Sequence, residues 1–218
     1  MAEDYTVQAG DCMSSIAYSN GFFWRTLWSL PQNAALKAKR KNPNVLMTGD
    51  MVHIPDLTVK QESGATEQTH EFMLKGVPEV LNMKMLDSNH QPRANVNYII
   101  TIEGKSRRGK TDASGNIKES IPPDARTGKL VIDAPPDESG IPSTQTMILK
   151  LGNLNPLSEV SGLKARLANL GLYKGPNDAN LDDATKKAIS AFQKKKGLPV
   201  TGIADDATKA QINKTHGH

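Results

Sequence analysis

A chain of 218 residues with 37% hydrophobic and 23% charged side chains has the composition of a folded protein, which excludes a wholly disordered one. No apolar run approaches the roughly 18 residues that a membrane-spanning helix needs, and the single cysteine, Cys12, excludes an internal disulfide and a multi-cysteine metal site. The net charge of +4 is uneven: residues 1–56 and 57–154 are each balanced, whereas 155–218 carry ten basic against six acidic side chains. Such an excess is either a solvated helix face or a surface for an anionic polymer. The start Met1-Ala2-Glu3-Asp4-Tyr5 is acidic and lacks the pattern of a secretory signal, so the expectation is a chain that is cytoplasmic as synthesised. Delivery to a periplasm or cell wall would then use a non-Sec machine.

In chain order, the first unit (1–56) opens with the β-prone Tyr5-Thr6-Val7 and stops at Gly10-Asp11. A short helix is predicted over 14–18, ending at Asn20-Gly21. Trp24, Leu27 and Trp28 have helical spacing, Pro31 interrupts it, and 32–41 can form a further helical turn or more. Asn42-Pro43-Asn44 and Thr48-Gly49-Asp50 read as turns, and 51–54 alternates as a closing strand. Residues 57–68 are polar without periodicity and read as a linker. Residues 69–154 then show candidate strands at 72–74, 81–86, 96–102, 117–121, 129–132 and 146–151. Turn signals separate them, among them Arg107-Arg108-Gly109 and Asp112-Ala113-Ser114-Gly115-Asn116. That spacing predicts a β-sandwich of six or seven strands.

The last unit (155–218) changes period. Val160, Leu163, Leu167 and Leu170 form one helical stripe, and Ala184, Ala188, Ile189 and Phe192 form a second. Asp182 and Asp183 are candidate caps of the second helix, and Asp205 or Asp206 of a third. The whole is predicted to be a multidomain α+β protein: a βααβ unit, a central antiparallel β-sandwich and a three-helix bundle.

Two segments carry family resemblances. Tyr5-Thr6-Val7, Gly10-Asp11, Ser14 and Ile16-Ala17, followed by Asn42-Pro43-Asn44, Leu46, Gly49-Asp50, Val52 and Ile54-Pro55, resemble the two ends of a LysM domain. The resemblance implies a βααβ module binding N-acetylglucosamine-containing glycans such as peptidoglycan. Its groove would lie between the loops Gly10, Asp11, Cys12, Met13, Ser14 and Asn42, Pro43, Asn44, Val45, Leu46. Leu163, Arg166-Leu167 and Leu170-Gly171-Leu172-Tyr173, then Leu181-Asp182-Asp183, Thr185, Ala188-Ile189, Phe192-Gln193, Gly197-Leu198, Thr201-Gly202, Asp205 and Thr208, resemble a PGBD-type peptidoglycan-binding domain. This chain has Asp178-Ala179-Asn180 where that family usually has Asp-Gly. A second glycan site at Tyr173, Asp183 and Thr185 is the expectation there.

The middle unit, through Thr111 to Ile117, Ile121-Pro122-Pro123-Asp124 and Gly128 to Ile132, is similar to transthyretin-like sandwiches. The order of the three units is similar to proteins of type VI secretion and related contractile injection systems.

Nothing in the sequence marks a catalytic centre, a metal site or a cofactor. The histidines His53, His70, His90, His216 and His218 lack helical ligand spacing. Cys12 would act as a nucleophile only with a histidine such as His53 beside it. The expected function is non-catalytic peptidoglycan targeting by two terminal modules, whose linkage raises avidity. The alternative is a structural adaptor or cargo-loading component that binds a secretion spike protein or an effector. Neither nucleic acid nor a membrane span is expected.

Overall fold

A computed structural model describes residues 2–58, 63–70, 79–89, 91–134, 142–152 and 154–217. The predicted strand at 72–74, His90, His218 and part of the linker lie outside them.

Strand β1 (Glu3–Thr6) pairs antiparallel with β2 (Met51–Ile54), Tyr5 opposite Val52. Between them run α1 (Met13–Ser19), α2 (Trp24–Trp28), a 3₁₀ turn (Pro31–Asn33) and α3 (Ala34–Arg40). The three helical segments read from the sequence are thus present, one more than a minimal βααβ unit has. Proline cannot continue α2 but suits the first position of a new turn, so the chain restarts at Pro31 instead of extending one rod. Val7, Met13, Ile16, Leu27, Trp28, Leu36, Leu46, Val52 and Ile54 make the core. At its edge Asn33 is buried, donates to the Leu27 and His53 carbonyls (2.9 Å each) and accepts from the His53 N–H (2.8 Å). One amide thereby fixes the helical layer to β2.

The central unit is two antiparallel sheets around one core. One pairs β3 (Glu79–Lys84) with β6 (Asn116–Ile121). The other has the order β5-β4-β7-β8, from Lys105–Lys110, Asn97–Ile102, Thr127–Ala134 and Ser143–Lys150. Tyr98, Ile100 and Ile102 point inward and alternate with exposed neighbours, as a half-buried strand requires. Strand β5 corrects the expected turn at Arg107-Arg108-Gly109. The turn is instead Glu103-Gly104, with φ of +45° and +77°, a two-residue connection of the kind that suits a twisted hairpin. The charges that looked like loop chemistry cover a sheet edge, where they discourage pairing with other chains. Gly109 lies under the Tyr98 ring, and a β-carbon there would come within 2.5 Å of it.

The C-terminal unit packs α4 (Val160–Asn169), α5 (Asp183–Lys196) and α6 (Asp206–His216) around Leu163, Leu167, Ala188, Ile189, Phe192 and Ile212. The cap of α5 is Asp182, not Asp183, and Asp205 caps α6. Gly162 lets α4 press against the preceding loop, because a β-carbon would overlap the Pro156 carbonyl oxygen. Alanine is the better helix former by up to about 1 kcal/mol, but forced overpacking costs roughly 1–3 kcal/mol. Gly162→Ala is therefore expected to lower the melting temperature of the protein in spite of its gain in helix propensity. A melting temperature equal to or above that of the wild type would contradict this packing.

Candidate functional site

The two loops that the LysM resemblance singles out are brought together: the Met13 N–H donates to the Pro43 carbonyl at 2.9 Å. Their side chains are mostly committed elsewhere. Met13 is fully buried and Leu46 nearly so, both in the apolar core, and Val45 is buried as well. Cys12 is half-buried, and its thiol accepts the Ser15 N–H at 3.4 Å as the cap of α1. His53 does not share that partner; its Nδ1 meets Asp4 at 2.8 Å. The buried Asp11 carboxylate accepts from the Tyr5 hydroxyl and the Gln8 N–H, each at 2.8 Å. It also pairs with Arg126 of the central unit at 2.5 Å. Ser14 donates to Glu79 at 2.5 Å. Only Gly10, Asn42, Pro43 and Asn44 keep appreciable exposure together with Cys12, and Asn42 spends its side-chain oxygen on the Asn44 N–H.

Asp50 organises the far end of the second loop. Arg40 holds its carboxylate at 2.6 and 2.8 Å, with Lys39 at 3.2 Å and the Met47 N–H at 3.0 Å. Burial alone would push this carboxyl up, but Arg40, Met47 and Lys39 outweigh it and hold it below the ordinary carboxylate range.

In the C-terminal unit, the expected second site falls largely inside the structure. Tyr173 is buried, with its hydroxyl donating to Pro176 O (3.1 Å) and Asp182 (3.2 Å). Thr185 is fully buried and donates to Asp182 through both its N–H and its hydroxyl, at 2.6 Å each. Asp183 is exposed in the first turn of α5, 3.5 Å from Lys186. Behind them Lys164 has a side chain without solvent exposure, 2.7 Å from Asp178 and 3.3 Å from Asp182. It also stands 5.3 Å from the Tyr173 ring centre. Burial opposes its charge, but the bonds to Asp178, Tyr173 and Asp182 prevail and raise its pKa. The Asp178-Ala179-Asn180 loop is thus anchored by a lysine from α4.

A cavity of about 550 Å³ opens elsewhere on this unit, and none of the three expected residues lines it. Leu157, Leu163, Ile189, Ile203 and Ala204 form its apolar walls with Leu181, while Lys186, Lys187 and Lys209 stand at it as cations. Leu181 and Ile203 remain 48% and 67% exposed. A sequence signal for it exists. An apolar residue just before a helix cap normally packs on the fourth helical residue. Here that residue is Lys186, so Leu181 has no apolar staple partner within its own helix. Gln193 shapes the facing loop: fully buried, it donates to the Ile203 carbonyl (2.9 Å) and accepts from the N–H groups of Thr201 (2.9 Å) and Gly202 (3.0 Å).

The charge network around Lys164 and Asp182 has a pH signature. The Thr185 hydroxyl and N–H, together with Lys164, outweigh burial and lower the Asp182 pKa from 3.8 to about 2. A carboxylate with a depressed folded pKa stabilises fully above its unfolded pKa and loses that contribution as pH falls through the folded value. Thermal melting should therefore drop between pH 4 and pH 2. Asp182→Asn, which keeps a capping side chain, should melt lower at neutral pH and show a shallower acid decline. An unchanged decline in the variant would exclude this role.

Comparison with known proteins bears on the C-terminal unit. The family model "Putative peptidoglycan binding domain" matches residues 157–212. The "Localization factor PodJL" of Caulobacter vibrioides strain NA1000 / CB15N is 36% identical over 75 residues, which is 33% of this chain and 8% of that protein. The protein of the same name from strain ATCC 19089 / CIP 103742 / CB 15 matches to the same extent. This chain thus spans less than a tenth of the length of these relatives. No solved structure matches it significantly. The matched segment 157–212, which includes every helix of the C-terminal unit apart from the last turn of α6, is thus similar to a peptidoglycan-binding domain.

Proposed function

We propose that the protein is a non-catalytic peptidoglycan-binding protein that grips the polymer in the C-terminal groove and carries a LysM-like glycan-binding unit at its N-terminal end. The observation that carries this reading is the coincidence of the matched segment 157–212 with the open, lysine-bordered cavity. Peptidoglycan presents methyl groups on its N-acetyl, lactyl and alanyl parts, and free carboxylates on its stem peptides. Apolar walls suit the former and ammonium groups the latter. The order of elements in the N-terminal unit, with helices between two paired strands, supports the LysM part. Two weak modules on one chain would reinforce each other on a repeating polymer.

A second reading, the structural adaptor that holds a spike protein or effector of a contractile machine, draws on one observation. The first LysM-like loop is engaged by the central unit through Asp11 and Ser14. In that reading the N-terminal unit is a built-in part of a scaffold.

Sedimentation with purified sacculi tests the choice. Lys186 and Lys187 are exposed, so Lys186→Glu/Lys187→Glu should leave the fold intact. It should weaken binding by about tenfold or more, the equivalent of about 1.4 kcal/mol. Binding by the wild type should also fall as salt rises from low to high ionic strength. Equal sedimentation of variant and wild type at low salt would remove the groove from the mechanism, and no sedimentation of either would favour the adaptor.

A further inference from the structure

The central unit touches the N-terminal unit at the loop assigned to sugar. Arg126, in the turn before β7, pairs with the Asp11 carboxylate at 2.5 Å and reaches the Ala9 carbonyl at 3.4 Å. Its own N–H is held by Glu103 (2.9 Å) and its carbonyl accepts from Leu151 (2.9 Å), so the turn that presents it is fixed to both neighbouring parts of the sandwich. On the other side Glu79, the first residue of β3, accepts from the Ser14 hydroxyl at 2.5 Å. Gly152, just past β8 with φ of +71°, lies against the Gly10 carbonyl so closely that a β-carbon would overlap it. Three separate parts of the sandwich therefore converge on residues 9–14.

We propose that the central sandwich is a lid on the N-terminal glycan site, so that sugar binds there only after Arg126 and Glu79 release the loop. The inference rests on the reading of the N-terminal unit as a glycan-binding module and adds its regulation. Both contacts occupy polar groups of that loop, Asp11 Oδ1 and Ser14 Oγ, that a sugar hydroxyl or N-acetyl group would use. Opening does not dismantle the loop. The other carboxylate oxygen of Asp11 keeps its bonds from Tyr5 and Gln8, and Met13 stays in the core with its N–H on Pro43. A buried carboxylate that retains two donors is not left unpaired. The lid is thus an intramolecular competitor, and the affinity measured for sugar is the intrinsic affinity reduced by the open fraction.

The test is titration of the full chain with neutral N-acetylglucosamine tetramer, followed by NMR or calorimetry. Arg126→Ala/Glu79→Ala should bind about tenfold more tightly than the wild type if the closed state holds about nine-tenths of the molecules. Arg126→Lys, which keeps a cation at the same place, should stay near the wild type. Salt supplies a second measurement without any substitution. The sugar is uncharged, so screening of the partly exposed Arg126 should increase wild-type affinity as salt rises, the opposite of the trend for sacculi at the lysine-bordered groove. Equal affinity of wild type and double variant, or no binding by either, overturns the lid. Sacculus binding lost on Lys186→Glu/Lys187→Glu but unaltered by Arg126→Ala/Glu79→Ala would show the C-terminal site intact, so the two failures are distinguishable.

Discussion

Each of the three cores is small, and apolar burial in a domain of this size leaves little to hold long connections. In the two terminal units a buried polar side chain does that work, and the shape of the candidate sites follows from it. Asn33 ties the α2–α3 junction to β2, and Asp50 ties the end of α3 to the turn before β2. Gln193 holds the loop at 201–203, and Lys164 holds the loop at 178–182. A buried polar group is stable only when its partners are complete, so each of these residues dictates the path of a loop that has no regular structure of its own. Arg166 shows the cost of the device. It is buried with its Nη1 on the Asn155 and Gly162 carbonyls, its Nε has no partner among the described residues, and burial lowers its pKa.

The same arrangement separates structural from functional roles in the C-terminal unit. The motif residues Tyr173, Thr185, Gln193 and Thr208 are spent inside, on caps and loop anchors. The exposed rim of the groove is built from the motif residue Leu181 and from residues outside the motifs, Ile203 and the lysines of α5 and α6. At the N-terminal end the situation is reversed. The motif residues Gly10 and Asp11, on the loop before α1, and Ser14, in its first turn, are contacted by the neighbouring sandwich.

Much of the local structure was legible because it follows from nearest neighbours in the chain. Proline at 31 restarts a helix, Asn20-Gly21 ends one, and Asp205 begins one, each by a backbone effect confined to a few residues. The error at β5 has a physical source of the same scale. Arginines and a glycine read as a turn, but Glu103-Gly104 made the tighter turn, and Gly109 is needed for the Tyr98 ring across the pair. The choice between Asp182 and Asp183 as cap was open in the sequence, since either can accept the N–H of a first helical turn. The reach of Lys164 into Asp182 accompanies the observed choice.

What the sequence by itself determined is the type of most of the described elements and the family likeness of the last segment. These depend on periodicity, turn chemistry and motif spacing, all of which are properties of consecutive residues. Only the tertiary structure decided which polar side chains are consumed by the fold and which remain for a ligand. Tyr173 and Thr185 were buried, the groove beside Lys186 and Lys187 was opened, and Asp11 was paired with an arginine 115 residues away. Such outcomes depend on burial and on partners distant in the chain, and apart from the unstapled Leu181 no local pattern of residues encodes them.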